Sequence, residues 1–200
     1  METTAPSDDA LEYFWAEARK VLGLTKIEPI GGVGTTGSLT PPAWSFGDSA
    51  EMADELLGLV LAGRKTATSS ALWEWEADGE TPPGPGALGI LCDGAGEPRA
   101  LIRTEAVEVV PFDRVPAGHA AAEGEGDGSL EHWREAHAAY FTDVLAQVGR
   151  AFAPRHAGGA GALRGAAPEA AATAVGRGRR PRRAIARAGR AAAASMTVCA

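Results

Sequence analysis

The chain has 200 residues, 45% of them hydrophobic and 22% charged, with two cysteines and a formal net charge of −7. That length suits one domain with appendages, and the apolar content is too high for general disorder. No apolar run reaches the ~18–20 residues of a membrane span, and the polar, acidic N-terminus lacks the pattern of a secretory signal. Cys92 and Cys199 make no disulfide framework, so a cytoplasmic location is expected.

The net charge averages two unlike parts. Residues 1–154 carry 10 Lys+Arg against 25 Asp+Glu, whereas residues 155–200 carry nine Arg, no Lys and one acid, Glu169. The acidic part is thus −15 and the tail +8, and all 12 aromatic residues lie in the acidic part. The sequence predicts a globular domain over 9–154, a disordered segment over 1–8, and a disordered Ala/Arg/Gly tail over 155–200.

In chain order, Asp8 or Asp9 can cap a helix running to about Leu22, with Leu11, Phe14, Trp15, Ala18, Val21 and Leu22 on one face and Gly23 as its stop. Residues 31–43 carry loop chemistry. A second helix is expected from near Ser49, with Asp48 and Glu51 at capping-box spacing and an apolar stripe of Met52, Leu56, Leu59 and Val60. Gly63 sits where a left-handed C-terminal cap belongs, and Lys65–Trp75 reads as extended. A loop over 78–86 leads to strands Ala87–Cys92 and Arg99–Val110, joined at Asp93-Gly94-Ala95-Gly96 as a hairpin. After an Ala/Gly/acid-rich stretch over 117–128, Ser129 caps an amphipathic helix to about Val148. Its stripe is Leu130, Trp133, His137, Tyr140 or Phe141, Val144 and Val148. Short strands among three helices make an α+β domain.

Gly63-Arg64-Lys65-Thr66-Ala67-Thr68 puts a cation and two hydroxyls at a helix-to-strand junction. Burial could turn Lys65 into a base and Thr68 into a nucleophile, although an extended segment places the two on opposite faces, so a distorted junction is required. The same residues also read simply as a helix cap followed by β-favouring threonines. A phosphate loop is excluded, because the residues between Gly58 and Gly63 form an apolar helix and Arg64 displaces the lysine by one place. Glu123-Gly124-Glu125-Gly126-Asp127 offers carboxylates for acid–base work or, as a weaker alternative, for a divalent cation at Glu123, Glu125 and Asp127; it reads equally as a solvated loop before a helix. Trp44-Ser45-Phe46 and Trp73-Glu74-Trp75 can stack a base or fill a core. His132 and His137 are five apart, off the spacing of a metal pair: His137 reads as packing and His132 as exposed.

Together, WSFGDS (44–49), MADELLGLVLAGRKTAT (52–68), LCDGAGEP (91–98), VEVVPFDRV (107–115), AAEGEGDGSLEHWREAH (121–137) and YF (140–141) resemble the ASCH (activating-signal-cointegrator homology) family in its longer bacterial, YhfF-like form. The likeness covers roughly residues 10–154. It implies a PUA-like small β-barrel with flanking helices and a cleft for RNA or a modified nucleoside. It also implies an amidohydrolase activity of the N4-acetylcytidine type, with Lys65, Thr68 and Glu125 as catalytic residues and Glu123 as the rival for the glutamate role. Trp44, Phe46, Gly63, Arg64, Thr66, Trp73 and Glu123 would line the substrate. A non-catalytic RNA- or nucleotide-binding module and a metal-dependent ribonuclease are the alternatives. No cofactor, membrane or DNA partner is expected, and a −15 domain favours a small nucleoside over long RNA.

Family members of this form close with a strand of the type P-V-V-x-E-R-F-x-V. Here the likeness stops at Phe152-Ala153-Pro154. With 16 Arg, three Lys and no Asn, the composition suggests GC-rich coding. A back-translation of Arg155–Gly165 with freely chosen codons, shifted one base, reads GTPVVLERFEV. The expectation is a frameshifted tail and a lost closing strand, which would expose an edge. A genuine basic arm is the alternative.

Overall fold

The computed structural model describes residues 3–22, 40–147, 149–153 and 192–199, and the chain divides into two units. The expected stop at Gly23, much of the 31–43 loop, Val148 and most of the tail lie outside the described residues.

The first unit contains the chain up to Leu61 and Leu88–Arg103. Helix α1 spans Asp8–Val21, and its cap is Ser7 instead of Asp8 or Asp9: the Ser7 hydroxyl accepts from the Ala10 N–H (3.3 Å), which leaves both aspartates in the first turn, where the helix dipole favours them. Ahead of it, the Thr4 N–H donates to the Gly94 carbonyl at 3.3 Å. Strand β1 is Ala43–Trp44. Helix α2, Ala50–Leu61, is capped by Ser49, whose Oγ accepts from the Met52 N–H (3.2 Å), not by Asp48. Its buried face is Ala53, Leu57 and Val60: of the expected stripe Val60 is buried, Leu56 and Leu59 are half-buried and Met52 is exposed.

The expected hairpin is present. Strand β3, Leu88–Cys92, runs antiparallel to β4, Pro98–Val110, and parallel to β1. Asp93 closes the turn, its Oδ1 accepting from the N–H groups of Ala95 (3.1 Å) and Glu97 (2.9 Å). The core of this unit is apolar: Phe14, Trp15 and Ala18 of α1 pack with Ile90, Cys92 and Leu101.

The second unit contains Ala62–Ala87, the chain from Thr104, and the C-terminal residues from Ala193. Strand β2 is Ala67–Ala71. The extended reading to Trp75 fails there: helix α3, Leu72–Ala77, begins because the Glu74 carboxylate accepts from the Ala71 N–H (3.0 Å) and satisfies a donor that the strand would otherwise use. Beyond β4 come a 3₁₀ turn, Phe112–Arg114, then α4, Ala117–Glu123, and α5, Leu130–Gln147. Helix α4 was not expected; its Ala-rich segment lacks an amphipathic stripe, and helix formation follows from packing of His119, Ala120 and Glu123. Helix α5 buries Trp133, Phe141 and Leu145, so Phe141 and not Tyr140 turns inward. The core gathers Ala71, Phe112, Val115, Ala120, Trp133 and Phe141. Trp73 packs against it as a core residue.

Strand β5, Ala192–Cys199, falls in the Ala/Arg/Gly tail and pairs in parallel with β2 from Ala67↔Ser195 to Ala71↔Cys199. The strands form an open mixed sheet in the order β1-β3-β4-β5-β2. The described structure is therefore mixed α/β, with five α-helices in place of the three expected.

Candidate functional site

The second unit encloses a charge cluster. The chain leaves α2 through Gly63, whose φ of +69° marks the expected left-handed exit, and residues 64–66 lie ahead of the strand. The junction is irregular, but it turns Lys65 toward Glu123 and Glu125 and does not bring it to the Thr68 hydroxyl. Thr66 ties it to the end of α4, with its N–H (2.7 Å) and hydroxyl (3.3 Å) both donating to the Ala122 carbonyl. Lys65 thereby faces Glu123 across the gap between strand and helix.

The Lys65 ammonium, 4% exposed, donates to Glu123 Oε2 (3.0 Å) and to Glu125 Oε1 (2.6 Å). Glu123 is 1% exposed, whereas the Glu125 side chain keeps 27% of its surface open. On Glu123, Oε1 also accepts from Trp133 Nε1 (2.7 Å), from the Ser69 hydroxyl and from His119 Nε2 (2.9 Å). His137 Nε2 lies 3.8 Å from Oε2, and its Nδ1–H donates to the Trp133 carbonyl (2.9 Å) while the rings stack at 4.3 Å.

These partners decide the protonation states. Burial works against the Lys65 cation, but Glu123 and Glu125 outweigh it, so the pKa is raised from the ordinary lysine value. Burial also works against the Glu123 anion. Lys65 first, then the His119 hydrogen bond and the positive character of His137 and His119, hold its carboxyl well below the usual carboxylate range. Lys65 is an ammonium and Glu123 a carboxylate at neutral pH. In this arrangement the two carboxylates oppose the effect of desolvation, so burial does not lower the Lys65 pKa as a lysine base requires.

Ser69, His119 and Glu123 do not form a proton relay. A carboxylate oxygen only accepts, so His119 Nε2 must carry a hydrogen to bond it, and Ser69 donates to the same oxygen. His119 Nε2, 3.1 Å from Ser69 Oγ, therefore has no lone pair to take the serine proton. Glu123 Oε1 thus accepts from three donors, while Oε2 accepts from Lys65 with His137 Nε2 at 3.8 Å.

The structure thus brings Lys65, Glu123 and Glu125 together, with Thr66 as a tether. Thr68 is half-buried on β2. Alternation along the strand places it opposite Ala67, Ser69 and Ala71, and its hydroxyl is in none of the cluster's hydrogen bonds. Arg64 is exposed, and its carbonyl contacts the Glu125 loop. Trp44 and Phe46 belong to the first unit, where Trp44 is partly exposed over Gly89. Asp127 accepts from the Ser129 N–H (2.8 Å) ahead of α5 instead of turning to the glutamates. Among the described residues, no group of three His, Cys, Asp or Glu side chains is arranged to hold a metal ion.

Ser69, His119 and Trp133 are members of the cluster that sequence reasoning missed. His119 and Glu123 stand at i and i+4, and that spacing on a recognised helix would have been their signal. His137 packs as expected, but beside Glu123.

Comparison with known proteins gives consistent results. The model of the ASCH domain family matches residues 42–157. A crystal structure of protein EF3133 from Enterococcus faecalis V583, of the DUF984 family, is 35% identical with a TM-score of 0.62, over 73% of this chain and 81% of that one. An ASCH domain from Lactobacillus crispatus JV V101 shares the fold at 24% identity and a TM-score of 0.61, over 77% of this chain and 91% of that one. No curated protein matches. No described helix is long and apolar enough to cross a membrane.

Proposed function

The chain belongs to the ASCH domain family, and from that premise we propose that it acts on a small modified nucleoside, hydrolysing an acetyl amide of the N4-acetylcytidine type at Lys65 and Glu125. The observation that carries this reading is the 2.6 Å pair between a buried ammonium and a partly open carboxylate. Glu125, the more open of the two glutamates, is assigned the proton transfer in this reading, and Glu123 is the anchor that holds Lys65 charged.

In the proposed reaction the Lys65 ammonium stabilises the oxyanion that forms on the amide carbonyl. The Thr68 hydroxyl, which the reaction requires to turn from the opposite face of β2 toward Lys65, attacks the carbonyl carbon and its proton passes to Glu125. The C–N bond then breaks, Glu125 protonates the leaving amine, and water releases acetate from the threonine ester. Closure of the sheet into a PUA-like barrel belongs to the same reading. The test is turnover of acetylated cytidine without added metal. Lys65→Ala and Glu125→Gln should each lower kcat/KM by about 10²–10³-fold. Undiminished turnover in folded variants would reject the assignment.

The engaged state of Lys65 favours a second reading, a binding module for RNA or nucleotide, since a raised lysine pKa suits recognition as well as catalysis. Salt-sensitive oligonucleotide binding with no turnover would select it. Chelator-sensitive RNA cleavage would select the metal-dependent ribonuclease instead.

A further inference from the structure

Glu125 is the least buried member of the cluster, yet its carboxylate must keep its distance from Lys65. Its position comes from the backbone on either side. Gly124, at φ +66°, ends α4, and a Cβ there would stand 2.6 Å from the Arg64 carbonyl oxygen. That carbonyl belongs to the residue before Lys65. Gly126, at φ +52°, lies under the imidazole of His132: a Cβ there would stand 2.2 Å from Nε2, 2.4 Å from Cδ2 and 2.7 Å from Cε1. The loop is thus held on one side by the segment that carries Lys65 and on the other by the first turn of α5.

His132 is an exposed residue whose backbone, at the start of α5, is tied to the loop. The Ser129 hydroxyl accepts from the His132 N–H (3.1 Å), the Asp127 carboxylate accepts from the Ser129 N–H, and the Gly128 N–H donates to the Glu125 carbonyl (2.9 Å). These bonds join the loop to the helix start in one short closed structure. Nothing in the Lys65–Glu125 pair requires a histidine at position 132. Its ring edge lying directly on Gly126 is what the cluster's own bonds leave unexplained.

We propose that His132 is a positioning residue: its ring, packed on Gly126, holds the Glu125 loop so that the carboxylate stays on Lys65. The proposal rests on the assignment of Glu125 to the site. It predicts coupling between two residues that never touch the substrate.

The test reads the Lys65 ammonium by nitrogen NMR at neutral pH in the full chain, where only Lys20, Lys26 and Lys65 compete for assignment. Its proton exchange reports whether Glu125 is in place, independently of any activity. Gly126→Ala and Glu125→Gln should each accelerate that exchange about tenfold, and His132→Ala about threefold. In the His132→Ala background, Gly126→Ala should add less, because the ring the methyl would strike is gone and only the backbone strain remains. His132→Gln, which keeps a planar group on Gly126, should stay near the wild type. Should Gly126→Ala not fold, the two His132 variants decide alone. Equal exchange in His132→Ala and wild type, with acceleration in Glu125→Gln, would overturn the proposal. So would a Gly126→Ala effect of the same size with and without His132. In acetyl-amide turnover, His132→Ala should lower kcat about tenfold with KM little changed, the mark of a misplaced group. Coupled exchange with no turnover even in wild type would support the positioning role and reject the proposed reaction.

Discussion

The two units use burial in different ways. The first buries Ile90 completely among Phe14, Trp15, Ala18, Cys92 and Leu101, and Asp93 closes its hairpin turn. The second surrounds a buried ion pair with aromatic rings: Phe112 stacks on Trp133 at 5.1 Å, Trp133 stacks on His137, and Trp133 donates to Glu123. An apolar core is stable in proportion to the area it removes from water. A buried ion pair contributes little net stability against an apolar substitute, yet losing Lys65 strands the Glu123 charge and losing Glu123 leaves the buried Lys65 to the partly open Glu125 alone. The second unit therefore depends on the donors that hold its buried charges.

The largest expected effect follows from that asymmetry. Glu123→Gln should destabilise the protein by about 3–5 kcal/mol, measured by denaturant unfolding near pH 7. The penalty should depend on pH. Glu123 has a depressed pKa, so its contribution is present above the unfolded carboxylate value and is lost as pH falls through the folded one. Lys65 has a raised pKa, so its contribution is present below the unfolded lysine value and is lost as pH rises through the folded one. The Glu123→Gln penalty should be flat between about pH 5 and pH 10 and shrink outside that window. In the first unit, Ile90→Ala should cost about 2–4 kcal/mol and the cost should not change with pH. A penalty equally insensitive to pH at both sites would break the comparison.

Trp133→Phe sharpens it. The ring stacking on Phe112 largely survives, but Glu123 loses the donor at 2.7 Å, and a cost of about 1–3 kcal/mol is expected from the hydrogen bond to a buried charge. The smallest effect concerns Cys92, whose thiol burial, then Asp93 and Glu97, push up to about 11. Native protein should show almost no alkylation at Cys92 at pH 8 by peptide mass analysis, because the thiolate is scarce and the sulfur buried. Rapid labelling would show that the first unit opens more readily than its packing implies.

Much of the fold could be read in advance wherever one local signal dominated. Helix α5, the Asp93–Gly96 hairpin and the Gly63 exit each rest on spacing and turn chemistry within a few residues. The caps shifted to Ser7 and Ser49 because a serine one residue from the expected aspartate made the bond. Helices α3 and α4 escaped notice because both are short and neither carries an amphipathic stripe. In the site, Lys65, Glu123 and Glu125 were legible as residue types at meaningful positions. Ser69, His119 and Trp133 were not, because each is unremarkable in its own segment and acquires its role only by converging on Glu123.

Residue chemistry and local spacing determined by themselves that this chain is an acidic domain with a basic tail, that helix gives way to strand at Gly63, and that Lys65 and the Glu123–Asp127 loop are its chemical features. The tertiary structure alone decided that Glu123 is buried and Glu125 partly open, and that both carboxylates meet Lys65 and raise its pKa. The reason is that a pKa belongs to an environment. Burial pulls a lysine one way and a neighbouring carboxylate pulls it the other. Only the arrangement of residues some 60 positions apart in the chain, joined at 3.0 and 2.6 Å, settles the outcome.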